Sequence, residues 1–339
     1  MQRIGIIGAG AWGTALAMTA RRAGREVVLQ AREREVVAGI NDDHENFLFL
    51  PGIKLDTAIR AVHEPAEACE ADAVFLVTPA QHLRAMATTI AGHLPAGLPV
   101  VICSKGIERK SCLLMSEVAV ETLPRATLAA LSGPTFAAEV AEGLPTAVTL
   151  ACGDPATGQA LVAALGTRTF RPYLTDDLTG VEMGGAVKNV LAIACGVVVG
   201  RRMGENARAA LITRGLAEMA RLGEAKGAKT ATMMGLSGLG DLTLTCTGSQ
   251  SRNMSLGIAL GQGQTMDEAL SGRLSVAEGA FSAIPVTDLA RRMGVEMPIC
   301  EAVRGILYDG ESIDTVIEAL LARPLGVERR DDDATGATA

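Results

Sequence analysis

The sequence predicts an α/β domain built on a largely parallel sheet, followed by an all-α domain. Three observations carry this prediction. Short apolar runs of strand length alternate with helical stretches as far as about Tyr173. Beyond that point strand-like runs largely disappear and long Ala/Leu/Met-rich segments take over. The first strand also leads through a Gly-x-Gly-x-x-Gly turn into a helix. At 339 residues the chain exceeds the roughly 250–300 that one core usually holds, so two domains are expected. The change of period puts the boundary near 175–180, with a sheet domain at 1–178, a helical domain at 179–327 and a charged, disordered tail at 328–339.

The elements follow in order. Residues 3–8 read as a buried strand, 11–23 as a helix stopped by Gly24, and 26–30 as a second strand, together one βαβ unit. Ala73 to Val77 is a strand, with Thr78-Pro79 opening a helix. Pro99 to Cys103 is a strand ended by Ser-Lys-Gly, and Thr127 to Leu131 a strand ended by Ser132-Gly133-Pro134. Thr146 to Leu150 is a further strand, after which Asp154-Pro155 opens a helix. Such continuous apolar strands are buried on both faces of their sheet. Helical segments are then predicted at 176–200, 206–226, 254–261, 285–294 and 312–322.

Composition narrows the function. With 48% hydrophobic and 20% charged residues, the chain has ample material for a core, which excludes disorder. Its net charge of −7 is a poor match for nucleic acid, which needs a basic face. The 38 glycines follow no Gly-X-Y period, so the excess must sit where backbone comes close to something. Seven cysteines without a C-x-x-C pair read as reduced core thiols, and four histidines without ligand spacing predict no metal. The N-terminus opens on the first strand with no secretory h-region, so a cytoplasmic location is expected. Met183 to Gly200 approaches a membrane span in length and apolar character, but Lys188 and four glycines favour a buried helix.

Gly8-Ala9-Gly10-Ala11-Trp12-Gly13 follows a strand and opens a helix, the context in which this motif binds a dinucleotide. Gly8 permits the tight turn, Gly10 lets a pyrophosphate approach the backbone, and Gly13 lets helix pack on strand. The helix N-terminus supplies N–H groups to the phosphates. No acid ends the second strand; Arg32 and Arg34 follow it and suit a 2′-phosphate, so NADP is favoured over NAD, while Glu33 leaves NAD open.

Ligands gather beyond the carboxyl ends of parallel strands. There, Ser104-Lys105-Gly106 aims a cation at an anionic substrate. Ser132 to Ala137 joins a strand to a helix, with Pro134 suited to the first helical position. Positions 180, 184, 188, 192 and 196 are Gly, Gly, Lys, Ala and Gly, one face of a helix. A lone ammonium in a bare stripe favours close approach of cofactor and substrate, although an approaching helix leaves the same stripe. Burial lowers the pKa of such an amine, which suits Lys188 to acid–base work. Asn189 beside it is placed to hold substrate hydroxyls or to orient the lysine. A Gly-rich turn at 235–240 precedes Asp241, a candidate partner for Lys188. Ser251, Arg252 and Asn253 at a helix start combine a hydroxyl, a guanidinium and free N–H groups, a plausible phosphate site.

Together these residues resemble the bacterial NAD(P)-dependent sn-glycerol-3-phosphate dehydrogenases over about residues 3–325. The resemblance is carried by Gly-Ala-Gly-Ala-Trp-Gly-Thr-Ala (8–15), Asn46 to Pro51, Ser-Lys-Gly (104–106), Ser-Gly-Pro-Thr-Phe-Ala (132–137), Gly-Gly-Ala-Val-Lys-Asn-Val (184–190), residues 210–219, Gly-Leu-Gly-Asp-Leu (238–242) and Ser-Arg-Asn (251–253). Phenylalanine stands in 46–52 where the family often has tyrosine. The resemblance implies a Rossmann domain followed by a helical domain like that of 6-phosphogluconate dehydrogenase. It implies reversible reduction of dihydroxyacetone phosphate to sn-glycerol 3-phosphate, feeding glycerophospholipid synthesis, in a homodimer. It further implies Lys188 as proton donor and acceptor with Asp241 as partner. Substrate contacts fall to Lys105, Gly133, Thr135, Ser251, Arg252 and Asn253, and cofactor contacts to Ala11, Trp12, Arg32, Lys105, Ala137, Arg252, Val276 and Glu278. A related 3-hydroxyacid dehydrogenase, with a carboxylate clamp, and a nicotinamide-sensing regulator are the rival readings.

Overall fold

Eight strands form one twisted sheet in the order β10-β9-β8-β7-β6-β1-β2-β5 in the computed structural model, which describes residues 1–270 and 277–324. The tail expected at 328–339 and the cofactor residue expected at Val276 lie outside the described residues. The first half runs β1 (Arg3–Ile7), α1 (Ala11–Arg22), β2 (Glu26–Gln30), α2 (Arg34–Ala38), a hairpin of β3 (Glu45–Asn46) and β4 (Leu50–Lys54), then β5 (Ile59–Val62), α3 (Pro65–Cys69) and β6 (Ala73–Leu76). It continues with α4 (Leu83–Ile90), β7 (Pro99–Ile102), α5 (Met115–Thr122), β8 (Thr127–Ser132), α6 (Ala137–Glu142), β9 (Thr146–Cys152), α7 (Pro155–Leu165) and β10 (Phe170–Thr175).

Alternation decides which side chain faces which layer. Ile4, Ile6, Val27, Leu29 and Phe75 pack into one apolar layer, and Ile7, Val28, Val74 and Leu76 into the opposite one. All sheet neighbours are parallel except β8 and β9, which pair antiparallel. The order reverses at β1, which lies between β2 and β6, so a crevice opens beyond the carboxyl ends of β1 and β6.

Beyond β10 the described residues form helices: α8 (Leu178–Gly200), α9 (Glu205–Ala225), α10 (Thr230–Met233), α11 (Asp241–Thr247), α12 (Arg252–Gly261), α13 (Met266–Leu270), α14 (Glu278–Arg292), α15 (Pro298–Tyr308) and α16 (Ile313–Leu321). The Asp177 carboxylate starts α8 by accepting from Gly180 N–H at 2.8 Å. This helix is long and apolar enough to cross a membrane, yet it is buried as the axis of the helical core. Its glycines are contact points. A Cβ on Gly196 would lie 2.2 Å from the Met254 carbonyl oxygen, and one on Gly257 would lie 2.0 Å from that of Ile193, so α8 and α12 touch backbone to backbone. A Cβ on Gly184 would meet the Ser237 carbonyl oxygen at 2.3 Å. The bare stripe thus receives neighbouring backbone at Gly184 and Gly196, which corrects the expectation that a ligand fills it there.

Three further expectations are corrected. Pro134 does not begin a helix: α6 starts at Ala137 with Phe136 as its N-cap. Gly133, at φ +144, presses its backbone against Val148, and Pro134 belongs to the turn that follows. No helix is predicted between 226 and 254, yet Leu236–Gly240 forms one helical turn and the segment from Asp241 is α11. The helix expected at 285–294 begins earlier, at Glu278, and runs through Pro285.

Candidate active site

The dinucleotide turn sits at the crevice. Gly8 has φ +108 and lies so close to β6 that a Cβ would approach the Val77 carbonyl oxygen to 2.8 Å. A Cβ on Gly13 would fall 1.9 Å from the Gly8 carbonyl oxygen, so helix and turn are in direct contact. Above Gly10 the space is open, with nothing within 4 Å of a built Cβ. Gly10 caps α1 without a side chain, which leaves the N–H groups of the first turn free for an anion. The Trp12 indole N–H is buried without a partner. A positively polarised cradle of this shape fits a dinucleotide pyrophosphate. At the end of β2, Arg32 is exposed and donates to Glu33 Oε1 at 2.9 and 2.6 Å. Two candidates for the ribose site therefore hold one another.

Along the same sheet edge, β7 lies two strands from β1, about 10 Å at ordinary strand spacing. The loop after β7 carries Ser104, whose hydroxyl donates to the Thr78 carbonyl at 2.5 Å, and then Lys105. Lys105 Nζ reaches across to the helical domain and donates to Asp241 Oδ2 at 2.7 Å and to the Gly133 carbonyl at 3.2 Å. Thr135 Oγ1 donates to that same carbonyl at 3.2 Å. The other carboxylate oxygen of Asp241 accepts from Lys188 Nζ. Asp241 is fully buried and so bridges two ammonium groups, one from each domain.

Lys188 completes its contacts on Thr245 Oγ1 at 2.9 Å. Burial pushes the Lys188 ammonium down to about 8, with Lys105 adding repulsion and Asp241 opposing both. Its proton is thereby held near neutral pH, the range in which an acid–base group works best. Thr245 carries no role in the sequence reading. Its signal is the spacing: it stands four residues after Asp241 and therefore on the same helix face.

A second network lies beside the first. Asn253 Nδ2 donates to Asn189 Oδ1 at 2.9 Å, and Asn253 Oδ1 accepts from Gly279 N–H at 2.8 Å. Asn189 thus pairs with Asn253, and its amide nitrogen with the Gly185 carbonyl at 3.3 Å. Ser251 caps α12 by accepting from Met254 N–H at 3.2 Å. Arg252, the first residue of α12, is exposed. Half-buried Glu278 opens α14; burial raises its carboxyl, and the charges of Arg252, Lys105 and Lys188 act on it in the opposite sense. Ala137 stands apart from these networks, at the start of α6.

Comparison with known proteins agrees with this layout. Residues 3–158 match the model of the NAD-dependent glycerol-3-phosphate dehydrogenase N-terminus, and residues 177–318 that of its C-terminus. A glycerol-3-phosphate dehydrogenase [NAD(P)+] of Rhodospirillum rubrum is 60% identical over 97% of this chain and 94% of its own. One of Parvibaculum lavamentivorans is 58% identical over 96% of this chain and 98% of its own. The crystal structure of glycerol-3-phosphate dehydrogenase from Coxiella burnetii superposes with a TM-score of 0.91 at 38% identity, covering 95% of this chain and 99% of that one. With both halves matched in order and the dinucleotide turn formed, the chain belongs to the NAD-dependent glycerol-3-phosphate dehydrogenase family of oxidoreductases.

Proposed function

We propose that the chain reversibly reduces dihydroxyacetone phosphate to sn-glycerol 3-phosphate with NADPH or NADH. The observation that carries the proposal is the Lys105–Asp241–Lys188 bridge beside a dinucleotide turn. The nicotinamide, when bound, supplies hydride to the carbonyl carbon. Lys188 gives its Nζ proton to the ketone oxygen as negative charge develops there, and takes it back in the reverse direction. Asp241 holds that ammonium in place, and Thr245 restricts its remaining freedom. Lys105 and Thr135 border the same space, with the Gly133 carbonyl between them. Arg252 and the N–H groups at the start of α12 receive the phosphate, while Asn253 and Asn189 orient the rest of the substrate. Gly8, Gly10, Ala11, Trp12 and Gly13 hold the pyrophosphate; Arg32, Ala137 and Glu278 contact the remainder of the cofactor.

The same proposal divides the chain into a cofactor domain at 1–178 and a substrate domain at 179–327, acting as a cytoplasmic homodimer in glycerophospholipid synthesis. Seven free, buried thiols suit a reducing compartment. Arg32 favours NADPH, with Glu33 competing for its guanidinium. The test is initial-rate oxidation of NADPH and NADH with dihydroxyacetone phosphate, alongside a carboxylated 3-keto acid. Turnover with the phosphorylated ketone and a higher kcat/KM for NADPH are expected. Turnover of the keto acid alone, or cofactor binding without turnover of either, would overturn the proposal.

A further inference from the structure

The hairpin after β2 plays no part in the chemistry above, yet it sends a side chain beneath the dinucleotide turn. Asn46 is fully buried. Its amide nitrogen donates to the Ala9 carbonyl at 2.8 Å and to Thr14 Oγ1 at 2.8 Å, and its Oδ1 accepts from Phe49 N–H at 3.1 Å. Thr14, also fully buried, donates its hydroxyl proton to the Gly10 carbonyl at 3.0 Å. Both carbonyls of the turn's centre are thus tied on the protein side.

A trans peptide is planar, so its C=O and the N–H that follows point in opposite directions. The described residues contain no cis peptide bond. Drawing the Ala9 carbonyl inward aims the Gly10 N–H outward, and drawing the Gly10 carbonyl inward does the same for Ala11. Neither N–H meets a protein acceptor among the described residues, and a Cβ built on Gly10 would have nothing within 4 Å. Without the Asn46 donor the buried Ala9 carbonyl would keep only the long contact from Thr14 Oγ1 at 3.5 Å, and the peptide would turn to find a better partner.

We infer that Asn46, acting through Thr14 and the Ala9 peptide, is a positioning residue that orients the turn's N–H groups toward the cofactor pyrophosphate. The inference rests on the proposed binding of NADP or NAD. Trp12 is the chain's sole tryptophan and lies in the turn, so its fluorescence reports occupancy without turnover. The experiment titrates wild type, Asn46→Ala, Thr14→Val and Thr14→Ser with NADPH and with 2′-AMP, which lacks the pyrophosphate, and records each thermal midpoint.

Asn46→Ala is expected to weaken NADPH binding about tenfold or more, about 1.4 kcal/mol, and to leave 2′-AMP affinity within about twofold. Thr14→Val keeps the Asn46–Ala9 bond and the Thr14 N–H bond to the Gly10 carbonyl, so it should show a smaller loss of the same selective kind, and Thr14→Ser wild-type affinity. The threonine pair decides the matter if Asn46→Ala fails to fold, because it leaves the Asn46–Phe49 bond in place. Unchanged NADPH affinity, or equal loss for NADPH and 2′-AMP, would overturn the inference alone. Absence of NADPH binding by the wild type would overturn it together with the proposed function.

Discussion

Replacing Asp241 with asparagine keeps the shape of the side chain and removes the carboxylate between Lys105 and Lys188. The consequence can be worked from the geometry. Two unit charges about 4 Å apart in an effective dielectric of about 20 attract by about 4 kcal/mol, or about three pKa units. Lys188 stands at about 8 with the carboxylate present. Without it, burial and Lys105 are opposed by Glu278 alone, and the amine falls to about 5. At about pH 7.5 the protonated fraction then falls from about three quarters to about 0.3%, roughly 200-fold. Ketone reduction needs the protonated form, so kcat/KM at that pH should fall by a similar factor. The assay is NADPH oxidation with dihydroxyacetone phosphate from about pH 5 to 9. Wild type should lose activity as pH rises through about 8, and Asp241→Asn as pH rises through about 5, with activity recovering in acid. A variant whose falling limb stays near that of the wild type would refute the reasoning.

Other perturbations separate binding and packing from chemistry. Arg252→Ala should raise the KM for the phosphorylated ketone about 10- to 100-fold with a smaller effect on kcat, since a charge-assisted contact to phosphate is lost; steady-state kinetics checks this. Glu182 on α8 is buried and accepts from Ser116 of α5 at 2.8 Å through the backbone N–H, and burial pushes its carboxyl up to about 7. The folded chain therefore keeps this proton to a higher pH than the unfolded chain, and stability is lost as pH rises from about 4.5 to about 7. Glu182→Gln should be more stable than wild type at about pH 8 by up to about 3 kcal/mol, with the difference shrinking toward about pH 5 in urea titrations. Gly257→Ala puts a methyl 2.0 Å from the Ile193 carbonyl oxygen and should lower the unfolding free energy by about 1–3 kcal/mol.

The sheet core was legible because its strands are continuous apolar runs, and the dinucleotide turn because glycine spacing records backbone contact directly. The edges were not. β5 is four residues with an exposed Arg60, and β10 carries Arg171 and Pro172, which an edge strand tolerates but a central one does not. β4 contains Pro51-Gly52, which reads as a turn. In the site, Asp241 was readable as a candidate partner of Lys188, 53 positions earlier. Its simultaneous contact with Lys105, 136 positions away, depends on how two domains meet, which spacing does not encode. Thr245 was missed because no helix is predicted between the segments ending at 226 and starting at 254, although the i+4 relation to Asp241 was available. The glycine stripe on α8 shows the limit of periodicity: it marks a bare face and does not say whether a ligand or a neighbouring backbone fills it.

The central claim is that Lys188 supplies the proton for ketone reduction and takes little part in holding the cofactor. It is tested most directly with Lys188→Ala, by measuring kcat for dihydroxyacetone phosphate reduction and the NADPH dissociation constant from Trp12 fluorescence on the same preparation. The account predicts a kcat loss of about 10²–10⁴-fold with NADPH affinity within about threefold of wild type. Near-normal turnover, or loss of cofactor affinity in proportion to activity, would contradict it.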